Sequence, residues 1–191
     1  MPDRANGYEE NADIYIRSRR PHIGVAIVRD WARNLSPGAE VLELGCGHGV
    51  ISSVLVEAGL NLRAIDASPT LLNEFRKRFP DVPTDCCPAE ESAFFSRSFD
   101  GILAWGLLFL LEEEIQRLLL KKTSNALRPG GRLLFTAPLE GVQWIDVMTL
   151  QLSRSLGAPA YKALLQSCGL RVSHGLFDEG QNHYYSAVKP S

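Results

Sequence analysis

Between residues 39 and 138, short unbroken apolar runs alternate with longer stretches in which apolar residues recur every three or four positions. "AEVLELG" (39–45) has the length of a buried strand. In "VISSVLVEAG" (50–59), Val50, Val54, Leu55 and Ala58 share one helical face before a glycine stop. "LNLRAID" (60–66) predicts a second strand, and "SPTLLNEFRKRF" (68–79) a helix with Ser68 as its cap and Pro69 at its first position. "VPTDCC" (82–87) is a weaker third strand and "FDGILAW" (99–105) a fourth. "EEEIQRLLLKKTSNALRPGG" (112–131) places acids in its first turn and bases toward its end, as a helix dipole favours, and "RLLFTAP" (132–138) reads as a fifth strand. Strands alternating with helices predict a parallel sheet covered on both faces.

The alternation breaks near the end. "APAYKALLQSCG" (158–169) is helical, but the strand-like runs "LRVSHGLFD" (170–178) and "HYYSAVKP" (183–190) are separated only by "EGQN". So short a connection makes a hairpin, and one of the two strands must run antiparallel to the rest. With 191 residues, 45% of them hydrophobic, one core and one domain are expected over 1–191, with a helical cap at 1–35 and the sheet-bearing core at 36–191.

Charge then narrows the partners. Twenty basic and 22 acidic side chains leave a net charge of -2, which gives no reason to expect nucleic acid or an anionic membrane; "RSRR" (17–20) is too short to change that. No run approaches the roughly 20 apolar residues of a membrane span. The first residues, "MPDRANGYEENADIY", contain no apolar segment of secretory type, so a cytoplasmic location is expected. Cys46, Cys86, Cys87 and Cys168 have neither metal-ligand nor disulfide-like spacing, and reduced thiols with no metal are expected.

"EVLELGCGHGV" (40–50) carries the chemistry. Glycines at 45, 47 and 49 after a strand let a ligand approach backbone N–H groups at the start of a helix. Two cofactor classes compete for such a turn. The dinucleotide fingerprint counted from Gly45 needs glycine at position 50, where Val50 stands, so the spacing disfavours a nicotinamide cofactor. Asp66, ending the second strand, suits a ribose diol in either class. Glu43, an acid two residues before the turn, calls for a cationic or hydrogen-donating partner such as the amino group of a bound amino acid.

"VLELGCGHG", "AIDAS", "SFDGILAW" and "LRPGGRLLFTAP", in this order and spacing, resemble the class I S-adenosylmethionine-dependent methyltransferases over about residues 38–138. The resemblance implies a Rossmann-like, doubly wound α/β sheet of seven strands, order 3-2-1-4-5-7-6, with strand 7 antiparallel. It also implies S-adenosyl-L-methionine as cofactor, with its methionine part over Gly45, Cys46, Gly47 and Gly49, and its ribose on Asp66 beside Ala67. The adenine contacts would fall on Pro88, Ala89 and Glu90; many relatives have aspartate where Pro88 stands, which passes recognition of the adenine amino group to Glu90. Ala104 and Trp105 would meet the cofactor edge, Trp105 admitting core packing equally, and the histidine many relatives carry shortly afterwards is absent around Phe109. Tyr8, Ala12, Tyr15 and Arg19 resemble a segment that closes over the cofactor in small-molecule members of the family. His48 reads as an exposed turn residue.

Ligands of open α/β sheets bind beyond the carboxyl ends of the strands, and "FDEGQNHYY" (177–185) turns at that edge. Asp178, Glu179, Asn182, His183 and Tyr185, with Trp144 and Asp146 from after strand five, are therefore the expected acceptor-side groups; a merely polar hairpin tip is the alternative. His183 is the candidate general base, because an unperturbed imidazole titrates near neutrality. The expected activity is in-line transfer of a methyl group to a small-molecule acceptor. A non-catalytic binding or sensor protein on the same fold stands as the alternative, and a nicotinamide-dependent oxidoreductase stands behind both.

Overall fold

The computed structural model describes residues 4–20, 22–173 and 175–191. Five strands form the parallel body: β1 (Glu40–Leu44), β2 (Asn61–Asp66), β3 (Thr84–Cys86), β4 (Phe99–Ala104) and β5 (Leu127–Thr136). A two-stranded ribbon follows, β6 (Gly141–Ile145) with β7 (Leu152–Leu156), and then β8 (Arg171–Val172), β9 (Leu176–Phe177) and β10 (His183–Val188). The helices are α1 (Ala12–Ser18), α2 (Val25–Ala32), α3 (Ser52–Glu57), α4 (Pro69–Arg78), α5 (Glu113–Ala126) and α6 (Ala158–Ser167). The main sheet runs β3-β2-β1-β4-β5-β10-β8, with β9 also on β10. Because β10 is antiparallel to β5 and to β8, the predicted order and the antiparallel last strand are both present. The sixth strand is divided into the short pieces β8 and β9, and the β6–β7 ribbon is an element the sequence pattern did not announce.

Strand alternation sorts the core into two halves. Leu42 and Leu44 of β1 join Ile102, Phe135, Tyr161 and Tyr185 under α5 and α6. Val41, Leu62, Leu103 and Tyr184 face α2, α3 and α4, where Trp31, Leu55, Leu72 and Phe75 pack. Glu43 shares the face of Val41, so the two-residue repeat sends this acid into the α2–α4 half. The helix α4 begins as expected, with the Ser68 hydroxyl accepting from Leu71 N at 3.1 Å and proline in its first turn.

Gly101 lies where α2 crosses β4. A Cβ built there would come within 2.8 Å of Trp31 Cη2 and 2.9 Å of Leu35 Cδ1. Replacing Gly101 with alanine should therefore overpack this contact and cost about 1–3 kcal/mol. Urea titration of the variant against the parent checks this, and equal midpoints would show that the Trp31 ring shifts freely.

Candidate active site

The site is built on the turn between β1 and α3. Gly45 N and Cys46 N both donate to Ile65 O, at 2.8 and 3.1 Å, and Gly47 N donates to Asp66 Oδ2 at 2.7 Å. The turn is thus sewn to the end of β2. Gly45 and Gly47 have φ of 72° and 54°, the left-handed region that glycine tolerates best. The other Asp66 oxygen, Oδ1, accepts from Ser68 N at 2.9 Å, so one carboxylate joins the glycine turn to the start of α4.

Beyond the carboxyl edge of the strands lies a chamber of about 360 Å³. Gly45, Gly47, Asp66 and Ala67 line it on the β1–β2 side, Pro88, Ala89 and Glu90 on the β3 side, and Trp105, Leu107 and Thr136 on the β4–β5 side. Tyr8, Tyr15 and Arg19 cover it from the amino-terminal segment, and Asp146 reaches it from the tip of the β6–β7 ribbon. This roof is braced at several points. Glu9 accepts from Thr70 N at 3.1 Å and Thr70 Oγ1 at 2.7 Å, and also from Ser68 Oγ. Gly7 packs so closely on Thr149 that an added Cβ would lie 2.7 Å from its Cβ. Tyr8 and Tyr15 meet edge to face at 5.3 Å, and Tyr15 meets His48 in the same way at 5.5 Å. The Arg19 guanidinium lies 4.1 Å over the Trp105 ring.

A second chamber of about 220 Å³ shares Phe109, Thr136 and Asn182 with the first. Its remaining lining includes Pro138, Leu139, Glu140, Trp144, Phe177, Gln181 and His183. Burial, first, lowers the proton affinity of His183, against smaller opposing contributions from the Ala137 carbonyl and Glu140, so the imidazole is neutral at pH 7. Its Nδ1 is buried, and a Cβ on Gly175 would fall 2.0 Å from Nε2, so that nitrogen is turned to the backbone. The ring, the general-base candidate of the sequence, is buried and forms a wall of the chamber.

Several other expectations change place. Gly49 does not line the first chamber; its hydrogens face Phe79 and Phe75 of the α4 region, where a Cβ would lie 2.6 Å from Phe79 Cε2. Close helix packing, rather than a ligand, explains that glycine. Cys46 is buried beneath the turn, its thiol raised by burial first and by Asp66 and Glu43 next. Asp178 is buried as the organiser of the hairpin tip: Oδ1 accepts from Gly180 N and Asn182 N at 2.9 and 3.0 Å, and Oδ2 accepts from Tyr184 Oη at 2.9 Å. Tyr185 points into the α5–α6 half, stacked on Phe135 at 4.9 Å, with its hydroxyl donating to Pro138 O at 3.1 Å. Its neighbour Tyr184, which sequence reasoning passed over, is buried in the α2–α4 half and supports the site from beneath: Trp105 Nε1 donates to its hydroxyl at 2.5 Å. Two adjacent tyrosines on a strand face opposite ways, and only the pairing register shows which half of the core each enters.

Among the described residues, Glu43 has no cationic partner. Its Oε2 accepts from Ser52 Oγ at 2.6 Å, and complete burial raises its carboxyl to about 8, against the lowering by Ser52, with Asp66 adding to the rise. Asp66 is raised to about 6, by burial first, with the N–H groups of Ser68 and Gly47 opposing and Glu9 reinforcing.

An anion-shaped backbone turn at a topological switch point, an acid at the end of β2 and a chamber beyond the strand ends define a nucleotide-type cofactor site. Residues 41–131 match a family model described as a methyltransferase domain. A cypemycin N-terminal methyltransferase from a Streptomyces species is 33% identical over 106 residues, covering 53% of this chain and 43% of the relative. A demethylmenaquinone methyltransferase from Paenarthrobacter aurescens is 31% identical over 135 residues, 69% of this chain and 52% of the relative. The chain therefore spans about half the length of these curated relatives. Among solved structures, the Burkholderia thailandensis 1,6-didemethyltoxoflavin-N1-methyltransferase with bound 1,6-didemethyltoxoflavin and S-adenosylhomocysteine superimposes with a TM-score of 0.74 at 21% identity, over 97% of this chain and 84% of that one. An amino pentose methyltransferase from Micromonospora echinaspora, solved with S-adenosylmethionine, gives 0.74 at 16% identity over 94% and 96%. Residues 41–131 thus resemble a methyltransferase domain, and the fold is the Rossmann-like fold of the class I S-adenosylmethionine-dependent methyltransferases.

The Glu43 environment makes a stability prediction. Below about pH 4.5 the carboxyl is protonated in both folded and unfolded chains; between 4.5 and about 8 only the folded chain keeps the proton. The contribution of Glu43 is thus present at low pH and lost as pH rises through that window, with a slope of up to about 1.4 kcal/mol per pH unit. Relative to E43Q, the ligand-free parent should lose stability progressively from pH 5 to pH 8 in urea titrations. A constant difference would mean that Glu43 is ionised throughout.

Proposed function

We propose that the first chamber binds S-adenosyl-L-methionine and that the chain transfers its methyl group to a small-molecule acceptor held in the second. The observation that carries this reading is that the two chambers adjoin, with Phe109, Thr136 and Asn182 lining both, so a glycine-turn site lies beside a second, partly open space. The residues present fit the cofactor: side chains are absent at Gly45 and Gly47, Asp66 offers carboxylate oxygens at the chamber wall, and the lining sets four carboxyl groups (Asp66, Glu90, Glu91, Asp146) against two guanidinium groups (Arg4, Arg19). Pro88, Ala89 and Glu90 would take the adenine, and Tyr15, Arg19 and Trp105 the methionine end. When bound, the cofactor supplies an electrophilic methyl, taken by an acceptor lone pair in an in-line displacement that leaves a neutral thioether.

The chain's own contribution is then mainly positioning and exclusion of water. Tyr8, Tyr15 and the ribbon tip cover the first chamber, while Trp105 is fixed by Tyr184 and Arg19. We assign His183 and Trp144 to the acceptor side. The net charge of -2 and the small volume of the second chamber support a small acceptor over a nucleic acid.

Calorimetry with S-adenosylhomocysteine tests the cofactor site, and a methyl-donor turnover assay over a metabolite panel tests the activity. Gly47 to valine should abolish binding, because a branched residue is strained at this φ and its Cβ would lie 3.3 Å from Tyr15 Cε1; parent-like affinity in G47V would place the ligand elsewhere. His183 to alanine should change acceptor turnover or KM and leave the S-adenosylhomocysteine dissociation constant within about threefold, about 0.7 kcal/mol. A larger loss in a folded variant would move His183 into the cofactor site.

A further inference from the structure

We propose that the acceptor held in the second chamber is a neutral, planar aromatic compound of one or two rings. This rests on the reading of the first chamber as the cofactor site. Size sets the first limit: about 220 Å³ lies below the common range for ligand pockets, which begins near 300 Å³. The walls set the shape. Phe109 and Trp144 stand with ring centroids 5.6 Å apart and a 43° tilt, and Phe177 meets His183 at 4.9 Å and 61°. Four flat side chains on the walls of one small space favour a flat guest, which can stack or meet them edge on as aromatic groups prefer.

Charge sets the last limit. Among the described residues, neither lysine nor arginine lines the second chamber. His183 is neutral, and the one formally charged lining group is Glu140. A carboxylate, sulfate or phosphate ester would thus lose its hydration without a cation to replace it, and would meet Glu140 as a like charge. Polar groups occur where the chambers join, at Thr136 and Asn182. A hydroxyl or amine on the guest would find hydrogen-bonding partners there, at the end nearest the first chamber, leaving its ring among the aromatic walls.

Binding of 2-naphthol, 2-naphthoate and decahydro-2-naphthol to the whole protein, free and saturated with S-adenosylhomocysteine, tests this by ligand-observed NMR and calorimetry. The expected result is 2-naphthol binding to both forms with a dissociation constant of about 1 mM or tighter. Each of the other two probes should bind at least tenfold more weakly. W144A and F177A, at positions that line only the second chamber and are partly or largely exposed, should each weaken 2-naphthol at least fivefold while leaving S-adenosylhomocysteine affinity within threefold. Equal or tighter binding of 2-naphthoate or the saturated alcohol would overturn the proposal, as would unchanged 2-naphthol affinity in both variants. Displacement of 2-naphthol by S-adenosylhomocysteine would also overturn it, by placing the probe in the first chamber. If S-adenosylhomocysteine does not bind while 2-naphthol shows the expected selectivity and variant response, the cofactor reading fails and the aromatic chamber stands.

Discussion

The site depends on one carboxylate. Asp66 accepts from Gly47 N with one oxygen and from Ser68 N with the other, while Gly45 N and Cys46 N take up Ile65 O one residue earlier. These bonds hold the glycine turn open at a left-handed backbone angle and set where α3 and α4 begin. Hydrogen bonds to a charged acceptor are worth about 1.5–3 kcal/mol each, against a total stability of about 5–15 kcal/mol for a domain of ordinary size. The same residue that faces the chamber is thus part of its frame. Loss of Asp66 would remove a ligand contact and the shape of the turn together, so alanine at this position alone cannot assign it to a ribose; Gly47 separates the two roles better because it adds bulk without removing a bond.

The walls above that frame come from segments far apart in the chain. Glu9 ties the amino-terminal segment to the start of α4, and Thr149 at the ribbon tip packs on Gly7. At the opposite end of the site, Trp105 donates to Tyr184 and Tyr184 donates to Asp178, linking the cleft to the carboxyl-terminal hairpin. The expected division of labour, cofactor on one side and hairpin tip on the other, is therefore incomplete: His183 belongs to the second chamber, but Asp178 acts through Tyr184 on Trp105 at the edge of the first.

The sheet was legible because its signals are local. Apolar runs of strand length, a Ser-Pro helix start at 68–69 and a connection too short for a crossover each have one structural solution, and together they give an alternating sheet with one antiparallel strand at the end; the strand order was implied by the family resemblance. The glycine turn and Asp66 were legible for the same reason. The ribbon at 141–156 was not, since "GVQWI" and "LSRSL" have no sustained alternation and are joined by a loop whose bonds, three to Asp146 Oδ1, form only when folded. Gly49 and Tyr185 show a second limit. A glycine excluded by a ligand and one excluded by Phe79 look alike in sequence, and two neighbouring tyrosines are told apart only by the pairing of Tyr184 with Thr136 and Tyr185 with Phe135.

Two acids near the turn, Glu43 and Asp66, are both raised by burial; Asp66 raises Glu43 further, and Glu9 raises Asp66. Without a cation between them, the α2–α4 half of the core tolerates Glu43 chiefly as a neutral carboxyl donating or accepting locally at Ser52. A ligand carrying positive charge would reverse that balance, because pairing lowers the cost of ionisation and ionisation strengthens the pairing. A neutral ligand of the same shape gains nothing from either acid becoming charged.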